Sequence, residues 1–211
     1  MCSICALAVE GDGLCFDASS LSAERIIEGA SYVGVRVRFA GYLGNARIPM
    51  QIDVGFGDAL VPAPTEVQLP SILDPPPTVL LGYTRESVIA EKLQIMIALG
   101  EIKSRLKDFY DLWLLATRYA FSGALLMQAI HATFTHRNTP VVLPIVALDE
   151  AFAKPARETQ WRAFLGRNRL DEPETLREAI HAIAPFALPV LAAMADEREF
   201  DARWEPGGPW R

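Results

Sequence analysis

The residues best suited to chemistry lie between Arg85 and Leu115, in RESVIAEKLQIMIALGEIKSRLKDFYDLWLL. This stretch holds a lysine among apolar neighbours (Lys92), a basic run (Lys103, Arg105 and Lys107) and a D-x-x-D pair, Asp108 and Asp111. An ammonium group can neutralise a triphosphate, and carboxylates can hold a divalent ion. The same residues have a plainer reading. A lysine at the margin of an apolar face packs its stem and keeps its charge in water, and Asp–Lys neighbours three and four apart form ordinary surface pairs. Further upstream, Asp53 lies near the end of an alternating run and Asp58 follows two glycines. A strand carboxylate at a sheet edge suits a metal, whereas an acid after glycine often just closes a turn.

Two helices must position the first group. Leu93, Met96 and Ile97 recur at helical spacing, as do Leu112 and Leu115. Gly100 interrupts the pattern, and glycine commonly stands just past a helix C-terminus. The spacing predicts helices over 85–99 and 103–119, with Thr84 capping the first and Glu86 in its first turn. On one continuous helix, the sixteen residues from Lys92 to Asp108 would advance about 160° beyond whole turns and set them on nearly opposite faces. A turn at Gly100 folds the helices together and lets them converge. Asp108 and Asp111 already share a face.

Asp53 depends on strands. In YVGVRVRFA, residues 32–40, Val33, Val35, Val37 and Phe39 point one way and Gly34, Arg36 and Arg38 the other. In RIPMQIDV, residues 47–54, Ile48, Met50, Ile52 and Val54 form the apolar side and Arg47, Pro49, Gln51 and Asp53 the polar side. The loop GYLGNA between them predicts an antiparallel hairpin with one solvated face, and Pro49 marks an edge position or an irregularity. Before it, GDGLCFD reads as a turn and short strand, and Ser19, Ser20 and Ser22 as caps of a short helix through Glu28. The proline-rich residues 62–78 read as a connector with an edge strand near 66–73.

From about residue 120 the pattern is helical: 122–135, 157–167, and a last pair within 173–195 broken at Pro185 and Pro189. The tail FDARWEPGGPWR reads as extended or poorly ordered. Trp113 and Trp161 read as core, and His131, His136 and His181 fit no ligand spacing. Strands first and helices after predict an α+β fold.

The chain has 211 residues, 51% hydrophobic and 22% charged, with a net charge of −6, so nothing global draws it to nucleic acid or anionic membrane. Cys2 and Cys5 form a C-x-x-C, but no second pair or histidine pair follows at zinc spacing. Reduced thiols in a cytoplasmic protein are the expectation. No uninterrupted apolar run reaches about 18 residues. MCSICALAV lacks the basic start and cleavage site of a signal peptide. No P-loop or G-x-G-x-x-G is present.

Taken together, ARIPMQIDVGFGD, YTRESVIAEKL and KDFYDLWLL resemble the AbiEii-type nucleotidyltransferase toxin family of type IV toxin–antitoxin systems. That family places a strand carboxylate, a lysine in A-E-K-L and an R-D-x-x-D-L element in this order. WRAFL at 161–165 and FALPVL at 186–191 resemble its C-terminal portion, so the likeness covers most of residues 11–195. It implies an α+β fold. Residues 1–84 would be a partial nucleotidyltransferase-like mixed sheet, incomplete at the N-terminus, and 85–211 a helical part carrying the lysine and D-x-x-D motifs.

It also implies transfer of a nucleotide from an NTP, with Mg2+, to an acceptor such as tRNA, a cognate antitoxin, and a place in phage defence. Asp53 would be a metal-site carboxylate with a catalytic part, Asp108 the helical catalytic acid, Lys92 the holder of the nucleotide phosphates, and Asp111 its support. Metal held by carboxylates would bind phosphate oxygens, and a cation would meet the triphosphate charge.

The sequence departs from the family in two places. Its G-S signature and D-x-D pair belong upstream of GDGLCFD, and MCSICALAVE contains neither; Asp12 and Asp17 do not match. Lys107 stands where the family has arginine, which keeps the charge but loses the bidentate fork. The expectation is an enzyme whose chain starts too late, or a degenerate, non-catalytic member that binds an antitoxin or RNA. A helical interaction protein with a β hairpin is the reading outside the family. Little or no nucleotide transfer is expected of the chain as given.

Overall fold

The computed structural model describes residues 1–7, 13–28, 32–57, 60–71, 77–100 and 105–211. Asp12, Asp58 and Lys103, singled out above, lie outside the described residues. Helices follow strands, as the α+β expectation holds, and every strand pairing among the described residues is antiparallel. Two compact units are present, Met1–Asp58 and Ala59–Arg211. The residues between 59 and 84 thus group with the helices, whereas the sequence placed the division at 84/85.

In the first unit a single turn of helix, α1 (Cys2–Cys5), precedes a three-stranded sheet in the order β1 (Leu14–Glu28), β2 (Tyr32–Leu43), β3 (Ala46–Gly55). The β2–β3 hairpin forms as the alternation predicts. Leu43 pairs with Ala46 across a two-residue turn, and Gly44 takes φ 57°, a conformation glycine adopts without penalty. That turn sets the register: Val35 opposite Val54, Val37 opposite Ile52, Phe39 opposite Met50 on the apolar side; Arg36 opposite Asp53 and Arg38 opposite Gln51 on the polar side. Pro49 lies on an edge strand, as a residue without an N–H should.

Residues 19–28 are the clear correction. The serines cap no helix, because this segment is the second half of β1 and pairs with β2 from Ser22 to Glu28. The serines build an irregularity in the ladder between Asp17 and Ser22. Asp17 accepts from the backbone N–H and hydroxyl of Ser19, while the Ser20 hydroxyl donates to the Asp17 carbonyl and accepts from Ala40 N–H. An unpaired flank on β2, a strand with strong alternation, outweighs the local helix signal.

The second unit opens with a two-stranded ribbon, β4 (Thr65–Leu69) and β5 (Thr78–Gly82), where the edge strand was expected. Then come α2 (Arg85–Leu99), α3 (Leu106–Arg118), a short strand β6 (Phe121–Ser122), α4 (Gly123–His136), 3-10 turns at Val146–Leu148 and Glu150–Phe152, α5 (Pro155–Asn168), α6 (Leu176–Ala195) and β7 (Arg203–Trp204). One core joins the helices through Leu93, Leu112, Leu126, Ile130, Trp161, Ile180 and Phe186. Trp161 is core, as expected, and its indole N–H donates to the Pro173 carbonyl.

The last helix does not break at its prolines. Pro185 is exposed and Pro189 half-buried, four residues apart on the outer side, where water can take the carbonyls they leave unpaired. Its other side buries Leu176, Ile180, Ile183, Phe186, Val190 and Leu191, and this burial outweighs two missing hydrogen bonds. By length and mean hydropathy of 1.6 it also passes for a membrane span, but these buried residues are those of a core helix.

The tail is ordered, contrary to one of the two expectations for it. β7 pairs with β6, and Trp204 is buried against Phe186 with its indole N–H on the Ala116 carbonyl at 2.7 Å. Trp210 stacks on Phe186 and donates to its carbonyl at 2.9 Å. The tail therefore fastens α3 to α6. Trp204→Ala removes a buried indole and its hydrogen bond to the Ala116 carbonyl, which keeps the Gly207 N–H, and should lower unfolding stability by about 3–5 kcal/mol. Urea denaturation followed by far-UV circular dichroism measures this; a loss below about 1 kcal/mol would contradict the tail's role.

Candidate functional site

α2 begins where the Thr84 hydroxyl accepts the Ser87 N–H, and ends where Gly100 takes φ 50° with its N–H on the Met96 carbonyl. Ile89, Ala90, Leu93 and Met96 form its buried face. On α3, Phe109, Leu112 and Ala116 are buried, three and four apart. Lys92 precedes Leu93, Asp108 precedes Phe109, and Asp111 precedes Leu112, so each charge sits at the margin of its helix's apolar stripe. Packing the two stripes together brings the margins into contact.

Lys92 and the two acids converge as expected. Lys92 Nζ lies 2.9 Å from Asp108 Oδ1 and 2.6 Å from Asp111 Oδ2, and Lys107 Nζ also reaches Asp111 Oδ2 at 2.6 Å. The two Lys92 pairs are not surface pairs, whereas Lys107–Asp111 is a surface i,i+4 pair. The side chains of Lys92, Asp108 and Asp111 are 15%, 14% and 21% exposed, against 72% for Lys107. Burial pushes the Lys92 ammonium toward neutrality; the hydrogen bonds to Asp111 and Asp108, with their charges, outweigh it and hold its pKa above the ordinary lysine value. Two ammonium groups against two carboxylates leave the cluster electrically balanced.

Asp108 is satisfied on one side only. Its Oδ1 accepts from Lys92, while Oδ2 is buried with no hydrogen-bond partner. A cavity of about 10 Å³, room for about one water, adjoins it, lined by Met96, Arg105, Phe109 and Phe152 among others. A buried carboxylate oxygen without a donor is costly, and such atoms in folded proteins call for a reason. Phe109 stacks on Phe152, which fixes the helix turn carrying Asp108.

Asp53 belongs to the first unit and faces a different environment. Arg36, directly across the hairpin, holds it bidentately: Nε donates to Oδ1 and an Nη to Oδ2, both at 2.8 Å. Gln51 adds a weaker contact at 3.4 Å. The Arg36 hydrogen bonds keep the carboxyl below its ordinary pKa. Arg36 was legible as a polar-face residue; its pairing with Asp53 follows only from the register that the two-residue turn sets. Magnesium takes six oxygen ligands, and a carboxylate occupied by a guanidinium offers it poor purchase. No group of three or more His, Cys, Asp or Glu side chains suited to a metal occurs among the described residues. Cys2, Cys5 and Cys15 are free thiols. As they stand, the described carboxylates do not fit a bound magnesium ion.

Because the folded pKa of Lys92 lies above 10.5, its stabilising effect is complete below that value and is lost as pH rises through the folded value. Unfolding free energy should therefore fall above about pH 10.5, with a slope that Lys92→Met removes. At neutral pH Lys92→Met leaves Asp108 and Asp111 without their shared cation and should reduce stability by about 3 kcal/mol. Guanidinium titrations across that pH range test both; an unchanged alkaline slope in the variant would refute the assignment.

The model of the nucleotidyl transferase AbiEii toxin family, of type IV toxin–antitoxin systems, matches residues 1–197. No curated protein and no solved structure matches the chain. The matched span includes the hairpin with Asp53, the lysine helix and the D-x-x-D helix, and a type IV system implies a cognate antitoxin. The chain belongs to the AbiEii nucleotidyltransferase toxin family.

Proposed function

We propose that the α2–α3 cluster is the nucleotide-handling part of a nucleotidyltransferase site, acting on an NTP with tRNA or another RNA as acceptor. Lys92 meets the nucleotide phosphates, Asp108 is the catalytic carboxylate and Asp111 supports Lys92; Asp53, in the first unit, is the strand carboxylate that the family resemblance assigns. The observation that carries this reading is the asymmetry of Asp108, one oxygen on Lys92 and the other buried without a donor. In the transfer, an acceptor hydroxyl oxygen bonds to the α-phosphorus and the bond to the bridging α–β oxygen breaks. Pyrophosphate leaves, and the hydroxyl proton passes to the Asp108 carboxylate.

Nucleotide binding requires Lys92 to exchange carboxylate partners for phosphate. In a balanced cluster that exchange places two carboxylates near the incoming triphosphate, and attraction is weak unless another cation offsets them. Asp53, held by Arg36, likewise has to change partners before it can serve a metal. These charge balances favour little or no transfer by the chain as given. They also support a second reading, a non-catalytic family member that binds an antitoxin or RNA.

The test incubates the 211-residue chain with radiolabelled NTPs, magnesium and total tRNA. Little or no label on RNA is the expected result. Robust transfer abolished by Lys92→Ala or Asp108→Asn would overturn the impaired state and uphold the site. Transfer indifferent to both substitutions would overturn the site.

A further inference from the structure

A groove of about 1210 Å³ lies in the helical unit between the C-terminal ends of α4 and α6 and the loop after α4. Its floor is apolar: Met127, Phe134, Val141 and Met194. Its volume exceeds the range of about 300–1,000 Å³ usual for small-molecule sites. The α4 wall presents Met127, His131 and Thr135, a stripe at four-residue spacing of the kind on which a second helix packs.

The groove is preformed. Gln94 on α2 donates to the Thr139 hydroxyl at 2.8 Å, and Glu91 accepts from Arg137 at 2.9 Å in a half-buried pair. Both tie the start of the rim loop to α2.

Its rim carries a net negative charge. Two helices of 14 and 20 residues end here, and each brings the negative end of its dipole. Glu197 and Glu199 line the rim. Arg198 between them is held by Asp196 at 2.9 Å, and Arg137 is engaged by Glu91, so neither cation offsets the pair. An apolar floor beside a negative rim complements a helix with an apolar face and a basic flank.

We propose that this groove docks an amphipathic, lysine- or arginine-bearing helical segment of a partner protein, apolar side chains on Met127 and Met194 and the cations against Glu197 and Glu199. The site lies apart from the Lys92 cluster in its residues and stands independently of the nucleotidyl-transfer reading.

Glu197 offers a clean test. It follows Asp196, the C-cap of α6, at φ 52°, a left-handed position that favours glycine, so Glu197→Gly removes the charge while the fold is kept or strengthened. The full chain is titrated, by fluorescence anisotropy at moderate salt, with a labelled synthetic amphipathic helix of leucine, alanine and lysine. A matched helix with glutamate in place of lysine serves as the second probe. The lysine helix should bind at least tenfold more tightly. Glu197→Gly with Glu199→Gln should weaken it at least fivefold, with Tm unchanged or raised, and Met194→Asp should weaken it as well. Glu150→Gln with Glu172→Gln removes the same charge elsewhere and should change affinity less than twofold. The proposal is overturned by equal binding of the two helices, by wild-type affinity in the rim variant, by an equal loss in the distant one, or by sedimentation showing the groove occupied by a second copy.

Discussion

Lys92 carries an ammonium into the seam between two helices where most of its hydration is lost, and the charges around it answer that loss. A lysine so placed either gives up its proton or recruits anions. Asp108 and Asp111 supply two, on the same face of α3, and Lys107 returns a positive charge from the solvent side of Asp111. The constraint propagates outward. To hold both carboxylates on one nitrogen, α3 must lie against α2 with a fixed rotation, and the stacking of Phe109 on Phe152 and the tail's grip through Trp204 on Ala116 maintain it. A buried ion cluster is weak evidence of stabilisation in itself, because desolvation opposes much of the Coulombic gain. The unpartnered Asp108 oxygen adds a further cost.

Asp53 and the Lys92 cluster, in separate units, are held in different ways. Asp53 is an exposed strand carboxylate neutralised by a cross-strand arginine, an arrangement common on the solvated face of an antiparallel hairpin. Lys92 and its acids lie in a part-buried seam. An exposed pair exchanges partners readily, since water and salt compete with it; a half-buried cluster exchanges only with a ligand that replaces its charges. The helical seam therefore sets the higher threshold for any exchange of charged partners.

Several features were legible because they are local. Alternation in 32–40 and 47–54, glycine at 44 and 100, and threonine at 84 each carry a physical requirement that few other residues meet, and the hairpin, the turn and the cap follow. The Arg36–Asp53 pair was within reach as well. Once Gly44 and Asn45 are the turn, partners across the hairpin number 89 in sum, and 36 meets 53; a loop read as six residues left that register open. The errors share a cause. The serines at 19–22 and the prolines at 185 and 189 signal a helix start and a helix break in isolation, yet the first lie beside an open strand edge and the second on a helix whose opposite face is buried. Tertiary burial and pairing outweigh such signals by several kcal/mol.

The sequence by itself determined the family, the order of strands before helices and the identity of the charged residues, since each rests on residue type and spacing along the chain. Only the tertiary structure decided what those charges do to one another. Lys92 and Asp108 stand sixteen residues apart, on helices whose mutual rotation no local pattern specifies, and Asp53 stands seventeen residues from the arginine that neutralises it. Whether a carboxylate is free, shared or spent depends on which neighbour packing brings within about 3 Å, and Coulomb energy in a partly buried seam changes steeply over that distance.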